Sequence, residues 1–192
     1  MTRGVAFSLA LLSFVLTSAC AAPRLPSVIQ SELTRTPQGN VTVIEFVDYE
    51  CPFCRAMDRE LSAALRQHQG RVRVVRKHVP LRRHVHARDA ARAQICAEQA
   101  GKGDAMHAAL MQAPSLDPSS LLTLAREVGL DGSALERCMK SRGTDARISA
   151  DVNDFDDVHA AGVPTVFINR RRFEGVYPSS DLEEAIRAEI VP

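Results

Sequence analysis

The chain lacks a charge of either sign to spare. Its 192 residues carry 24 Lys and Arg against 23 Asp and Glu. A balance this close gives no electrostatic footprint for nucleic acid. The chain also lacks internal repeats and low-complexity tracts, which excludes solenoids and biased tails. It lacks a confident membrane span. The apolar run VAFSLALLSFVLTSA follows Arg3 and has the length of a signal-peptide h-region, too short and wrongly flanked to cross a bilayer. Cysteine is scarce enough that each of the five, at 20, 51, 54, 96 and 138, has to be explained.

Residues 1–20 are therefore read as a signal peptide. The small residues Ala19, Ala21 and Ala22 suit cleavage nearby. Thr17-Ser18-Ala19-Cys20 also resembles a bacterial lipoprotein processing box, with Thr where Leu is usual. Cys20 is then either lipidated, anchoring the chain to a membrane surface, or removed. On both readings the chain is exported into an oxidising, extracytoplasmic compartment such as the periplasm. About 170 residues remain, the length of one domain with a sizeable core. Four cysteines remain with them, a close pair and a distant pair. Three connectivities are open, and 51–54 with 96–138 is the economical one.

The hydrophobic pattern gives an element order. Residues 23–40, with three prolines, read mostly as an irregular lead-in. Val41 to Val47 is apolar and β-branched, as in a strand buried on both faces. From Pro52 the period changes to a helix, with Phe53, Met57, Leu61 and Leu65 in one stripe. Arg71 to Val75 alternates as a second, less buried strand, and the basic run RVRVVRKHVPLRRHVH around it reads as a solvated face rather than a positive patch. Strand, helix, strand at this spacing is a parallel βαβ unit. Residues 79–160 then show only helical signals, five in number. Val163 to Asn169 and Arg171 to Val176 form a hairpin, and Ser179-Ser180-Asp181 opens a last helix. The fold class is α/β, with a core of residues 41–78 and 161–190 and an all-helical insert.

Cys51-Pro52-Phe53-Cys54 carries the chemistry. It stands where the strand gives way to the helix. Unpaired backbone N–H groups at a helix start stabilise a thiolate. Cys51 is the expected nucleophile, within reach of solvent, and Cys54, one turn in, the more buried resolving thiol. Pro52 and Phe53 add no charge and offer apolar contact to a substrate. A structural disulfide at this spacing closes too small a loop to stabilise much. A zinc or copper site through Cys51, Cys54 and a nearby histidine is the non-enzymatic alternative, as in a metal-binding lipoprotein. Glu45 is the one charge in the most apolar strand, six positions before Cys51. Buried, its pKa rises and it can exchange a proton with Cys54; on an edge it would simply face water. His84-x-His86 could chelate, but polar surface or helix-start packing is the favoured reading.

Together VIEFVDYECPFC, RVRVVRKHVPL, HARDAARA, the Gly129-Leu130-Asp131 segment and GVPTVFIN resemble the DsbA-type thioredoxin-fold thiol oxidoreductases, from about residue 38 onward. The resemblance implies a thioredoxin core interrupted by a helical domain. It implies that Cys51 and Cys54 are the redox pair, Glu45 the buried acid and Pro164 the cis-proline. The Val163 backbone would hold an extended substrate strand. Some relatives carry a non-catalytic disulfide, which supports the 96–138 pairing. The implied activity is oxidation of cysteine-containing exported proteins by a monomer without cofactor or metal, recharged by a membrane redox partner. A reductase or isomerase kept reduced by such a partner is the alternative. More oxidising relatives often place histidine where this chain has Phe53, which leaves the direction of electron flow open.

Overall fold

The computed structural model describes residues 25–190. The signal segment and Cys20 lie outside the described residues. Four strands form one sheet: β1 (Val41–Val47), β2 (Val72–His78), β3 (Thr165–Ile168) and β4 (Arg171–Glu174), in the order β2-β1-β3-β4. β1 pairs parallel with β2 and antiparallel with β3, and β3 and β4 form the hairpin. Every residue of central β1 is buried.

Alternation along β1 sends its side chains to two cores. Val41 and Val43 pack with Met57 and Leu61 of α2 (Pro52–Leu65) and with Leu182 and Ile186 of α8 (Ser179–Glu189). Ile44 and Phe46 pack on the other face, against Val28 and Ile29 of α1 (Ser27–Thr34) and beside Phe155 of α7 (Arg142–Asp157). Glu45 shares the parity of Val43 and Val47, so it points toward α2 and the cysteines. That placement follows from strand geometry alone.

Between β2 and β3 lie α3 (Ala87–Gln99), α4 (Gly103–Gln112), α5 (Pro118–Glu127), α6 (Gly132–Met139) and α7. Asp117, Asp131 and Ser141 start the last three by accepting the backbone N–H three residues on. The helices share a core with the redox segment. Val47, Tyr49, Cys51 and Cys54 pack in one cluster with Ala93, Met106, Leu110 and Leu121. Cys96 of α3 and Cys138 of α6 are joined by a disulfide, with Cα atoms 5.9 Å apart.

Two expectations need correcting. Residues 23–40 are not an irregular lead-in throughout, because Ser27–Thr34 is helical. The prolines flank this helix rather than interrupt it, and burial of Val28 and Ile29 against the sheet holds it. The basic stretch around β2 is not merely a solvated face. Arg73 reaches Glu32 of α1 at 2.7 Å, Lys77 reaches Asp154 of α7 at 2.7 Å, and Arg76 reaches Asp104 of α4 at 2.7 Å. These pairs clamp three helices onto the strand, which also runs past Val75 to His78.

The Cys96–Cys138 bridge spans 42 residues of sequence. Replacing both cysteines by alanine should cost about 4 kcal/mol of stability through the freed unfolded chain. Urea unfolding of the double variant checks this, and its Cys51–Cys54 exchange activity should persist below the unfolding transition.

Candidate active site

The segment joining β1 to α2 is organised by Asp48, which is 1% exposed. Its Oδ1 accepts the backbone N–H of Glu50 at 2.8 Å and of Cys51 at 3.2 Å. Its Oδ2 accepts the N–H of Leu81 at 2.7 Å and meets His84 Nδ1 at 2.9 Å. One buried carboxylate thus fixes both the turn before the cysteines and the loop after β2. Its own N–H donates to Cys54 Sγ at 3.4 Å. Arg55 donates to the carbonyls of Tyr49 and Ala113, tying the first turn of α2 to the helical insert.

Cys51 occupies the N-cap of α2, with extended backbone (φ −71°, ψ 120°) and Pro52 at the first helical position. Its thiol pKa falls from 9.0 to about 6. The largest cause is a hydrogen bond from the Cys54 thiol to the Cys51 thiolate. The backbone N–H groups of Cys54 and Phe53 add to it, while burial and the Asp48 charge oppose it. Cys54 moves the opposite way. Donating to Cys51 and sitting fully buried, it is driven far above an ordinary thiol. One negative charge is therefore shared very unequally between the two sulfurs.

Cys51 differs from expectation in exposure. It is 1% exposed, not open to solvent. Val163 packs against its cluster, and the Val163 carbonyl oxygen lies 3.9 Å from Cys51 Sγ. The Val163–Pro164 peptide bond is cis. The Pro164 carbonyl accepts from Gly175, which ties the start of β3 to the end of β4. Pro52 is exposed, and Phe53 is 64% exposed, the largest side chain left open beside the pair.

Glu45 is 1% exposed, so the edge reading does not hold. Burial raises its pKa, with His107 and Arg76 pulling back. Its Oε2 lies 3.8 Å from Arg76 Nε, and its Oε1 has no hydrogen-bond partner among the described residues. His84 faces Asp48, and the His86 N–H donates to Glu50 Oε2 at 2.6 Å at the start of α3. Among the described residues, Glu45, Asp58 and His107 are the group whose donor atoms converge within 4.8 Å. His107 Nε2 already bonds Asp58 Oδ1 at 2.8 Å, and the Arg76 guanidinium already stands as the cation beside Glu45.

A family model described as thioredoxin matches residues 36–188. The chain belongs to the thioredoxin family. Within it the helices inserted between β2 and β3 give the DsbA-type arrangement. A thioredoxin-like oxidoreductase from Silicibacter pomeroyi DSS-3 is 33% identical, with a TM-score of 0.72 over 82% of this chain and 91% of that one. The thiol-disulfide exchange protein α-DsbA2 from Wolbachia pipientis shares the fold at 17% identity and a TM-score of 0.71, over 84% of this chain and 95% of that one. A curated relative, the Na(+)/H(+) antiporter NhaA 3 of Salinispora tropica, is 34% identical over 78% of this chain. The matched region is 23% of that protein, so the chain spans about a quarter of the curated relatives it matches. No helix of the described residues is long and apolar enough to cross a membrane.

Asp48 and His107 were not singled out from the sequence. The only signal for Asp48 was the turn-like Asp-Tyr-Glu before Cys51. His107 sits in a helix with no spacing cue toward the cysteines.

The hydrogen bond between the two sulfurs should be measurable by deletion. A hydrogen bond to a charged group contributes about 1.5–3 kcal/mol, or about one to two pH units. Cys54→Ala should raise the Cys51 midpoint by that amount, read from thiolate absorbance. Cys54→Ser keeps a donor and should hold the midpoint nearer to about 6.

Proposed function

We propose that this protein is an exported thiol oxidase. It passes the Cys51–Cys54 disulfide to cysteine-containing exported proteins and is recharged by a membrane redox partner. The observation that carries this reading is the depressed pKa of Cys51, about 6. At pH 7 such a thiol is about 90% ionised, against a few per cent for an ordinary one. The difference favours the dithiol over the disulfide by about 1.4 kcal/mol, or about 30 mV for a two-electron couple. The pH dependence follows from the same sign. A depressed thiol pKa stabilises the reduced fold above the ordinary thiol range, and that stabilisation is lost as pH falls through about 6.

The chemistry runs as two exchanges. A substrate thiolate attacks Cys51 Sγ, forming a mixed disulfide and breaking the Cys51–Cys54 bond. Cys54 leaves with the electron pair and takes up one proton. Glu45, whose pKa burial raises, is the group on the correct face to supply that proton. The second substrate thiolate then attacks the substrate sulfur of the mixed disulfide. Cys51 leaves as a thiolate held by Cys54 and the helix N–H groups. Two electrons pass from substrate to protein, and the substrate gains the disulfide. Val163 and Pro164 stand beside Cys51 to receive an extended substrate strand. Pro52 and Phe53 offer it apolar contact.

Export rests on residues 1–20, with Cys20 either lipidated or removed at the junction. The competing reading is a reductase fed electrons by a membrane partner. Phe53, an uncharged residue between the cysteines, is the feature that favours it.

Equilibration with glutathione at pH 7 decides between the two. The oxidase reading predicts a potential less negative than thioredoxin's, about −270 mV, together with oxidation of a reduced dithiol peptide. A potential below about −300 mV, with no peptide oxidation, would overturn it.

A further inference from the structure

Glu45 cannot serve repeated turnovers unless it trades protons with water, and it has no route of its own. It is 1% exposed on the central strand, with no partner for Oε1 among the described residues. Its surroundings are charged on several sides. Arg76 and His78 face it from β2, Asp58 and Cys54 from α2, and His107 from α4. Tyr49 follows β1 nearby, itself influenced by Glu45, Arg76, Glu98 and Asp58. Arg76 does not lose its proton at working pH. It is held by Asp104 at 2.7 Å, so it sets the field and carries nothing.

His107 is placed differently. Its side chain is 5% exposed, and one ring nitrogen and one carboxylate oxygen each of Glu45 and Asp58 lie within 4.8 Å of one another. That gap is within reach of one bridging water. Its Nε2 bonds Asp58 Oδ1 at 2.8 Å, and the Asp58 side chain is 15% exposed. Tyr49 hydroxyl meets Nδ1 at 3.4 Å and limits the ring's rotation. An imidazole and a carboxylate that touches solvent, bonded to each other, thus converge on one buried acid. The two partners come from different elements, so the arrangement depends on α4 docking against α2.

We propose that His107 and Asp58 are positioning residues that connect Glu45, and through it Cys54, to bulk water. The inference rests on the Glu45 role proposed above. When Cys54 leaves as a thiolate, it takes the Glu45 proton. Glu45 regains one from the His107 imidazole, and the imidazole regains one from water at Asp58. In the reverse step Cys54 gives its proton to Glu45 and attacks the mixed disulfide at Cys51. The Cys51–Cys54 bond forms, the other thiol leaves with the electron pair, and the proton exits by the same path. Every transfer is of one proton, and electrons move only between sulfurs.

The test uses oxidised glutathione to load Cys51 of the reduced full-length protein. Release of glutathione by Cys54 is then followed from about pH 5 to about pH 9 with a chelator present. General acid–base paths contribute about a hundredfold or more. His107→Gln should slow release at least about tenfold near neutral pH and remove its pH inflection. The Cys51 ionisation midpoint should stay in place. Asp58→Asn should act in the same direction and reports the same path if His107→Gln does not fold. Glu45→Gln combined with His107→Gln should be no slower than Glu45→Gln alone. Release by folded His107→Gln or Asp58→Asn within about twofold of wild type, with Glu45→Gln still slow, would overturn the route and spare the Glu45 role. Wild-type rates in both Glu45→Gln and His107→Gln would remove that role as well.

Discussion

One negative charge, shared unequally between two sulfurs at the start of a helix, is the interaction on which the site depends. Cys51 holds it because the Cys54 thiol and the first backbone N–H groups of α2 point at it. Cys54 stays protonated for the same reason, with burial added. The surrounding structure serves to keep this pair in register. Asp48 pins the turn before the helix with its carboxylate and holds Cys54 Sγ with its N–H. Yet its charge opposes the Cys51 thiolate. Placing the turn outweighs that electrostatic cost, because Cys51 still ends well below an ordinary thiol.

The inserted helices are part of the site rather than an attachment to it. The cluster around Cys51 and Cys54 is completed by side chains from α3, α4 and α5. Arg55 reaches across to the Ala113 carbonyl, and His107 of α4 bonds Asp58 of α2. The polar groups beneath the cysteines therefore come from both layers. The Cys96–Cys138 bridge lies farther out, within the insert, where it holds α3 to α6.

Much of this was legible in the sequence because the signals are local. The β-branched run gave β1, the four-residue stripe gave α2, and apolar residues at helical spacing gave the five helices of the insert. Glu45 could be placed by parity once β1 was assigned. What stayed hidden depends on tertiary contact. Helix α1 is short and bounded by prolines, and burial against the sheet holds it. The β2 cations looked like a solvated face until their acid partners arrived from α1, α4 and α7. Asp48 and His107 matter through partners distant in sequence, which no spacing pattern reports. The low exposure of Cys51 has the same origin, since Val163 is brought over it by the return of the chain into β3.

The most direct test of the unequal sharing is the reduction potential of Cys51–Cys54 as a function of pH. Below the Cys51 midpoint, two protons accompany two electrons; above it, one does. The potential should fall by about 59 mV per pH unit below the break and by about 30 mV above it, with the break near 6. A constant slope of about 59 mV through pH 8 would mean that both thiols keep their protons, and would contradict the assignment of the charge to Cys51.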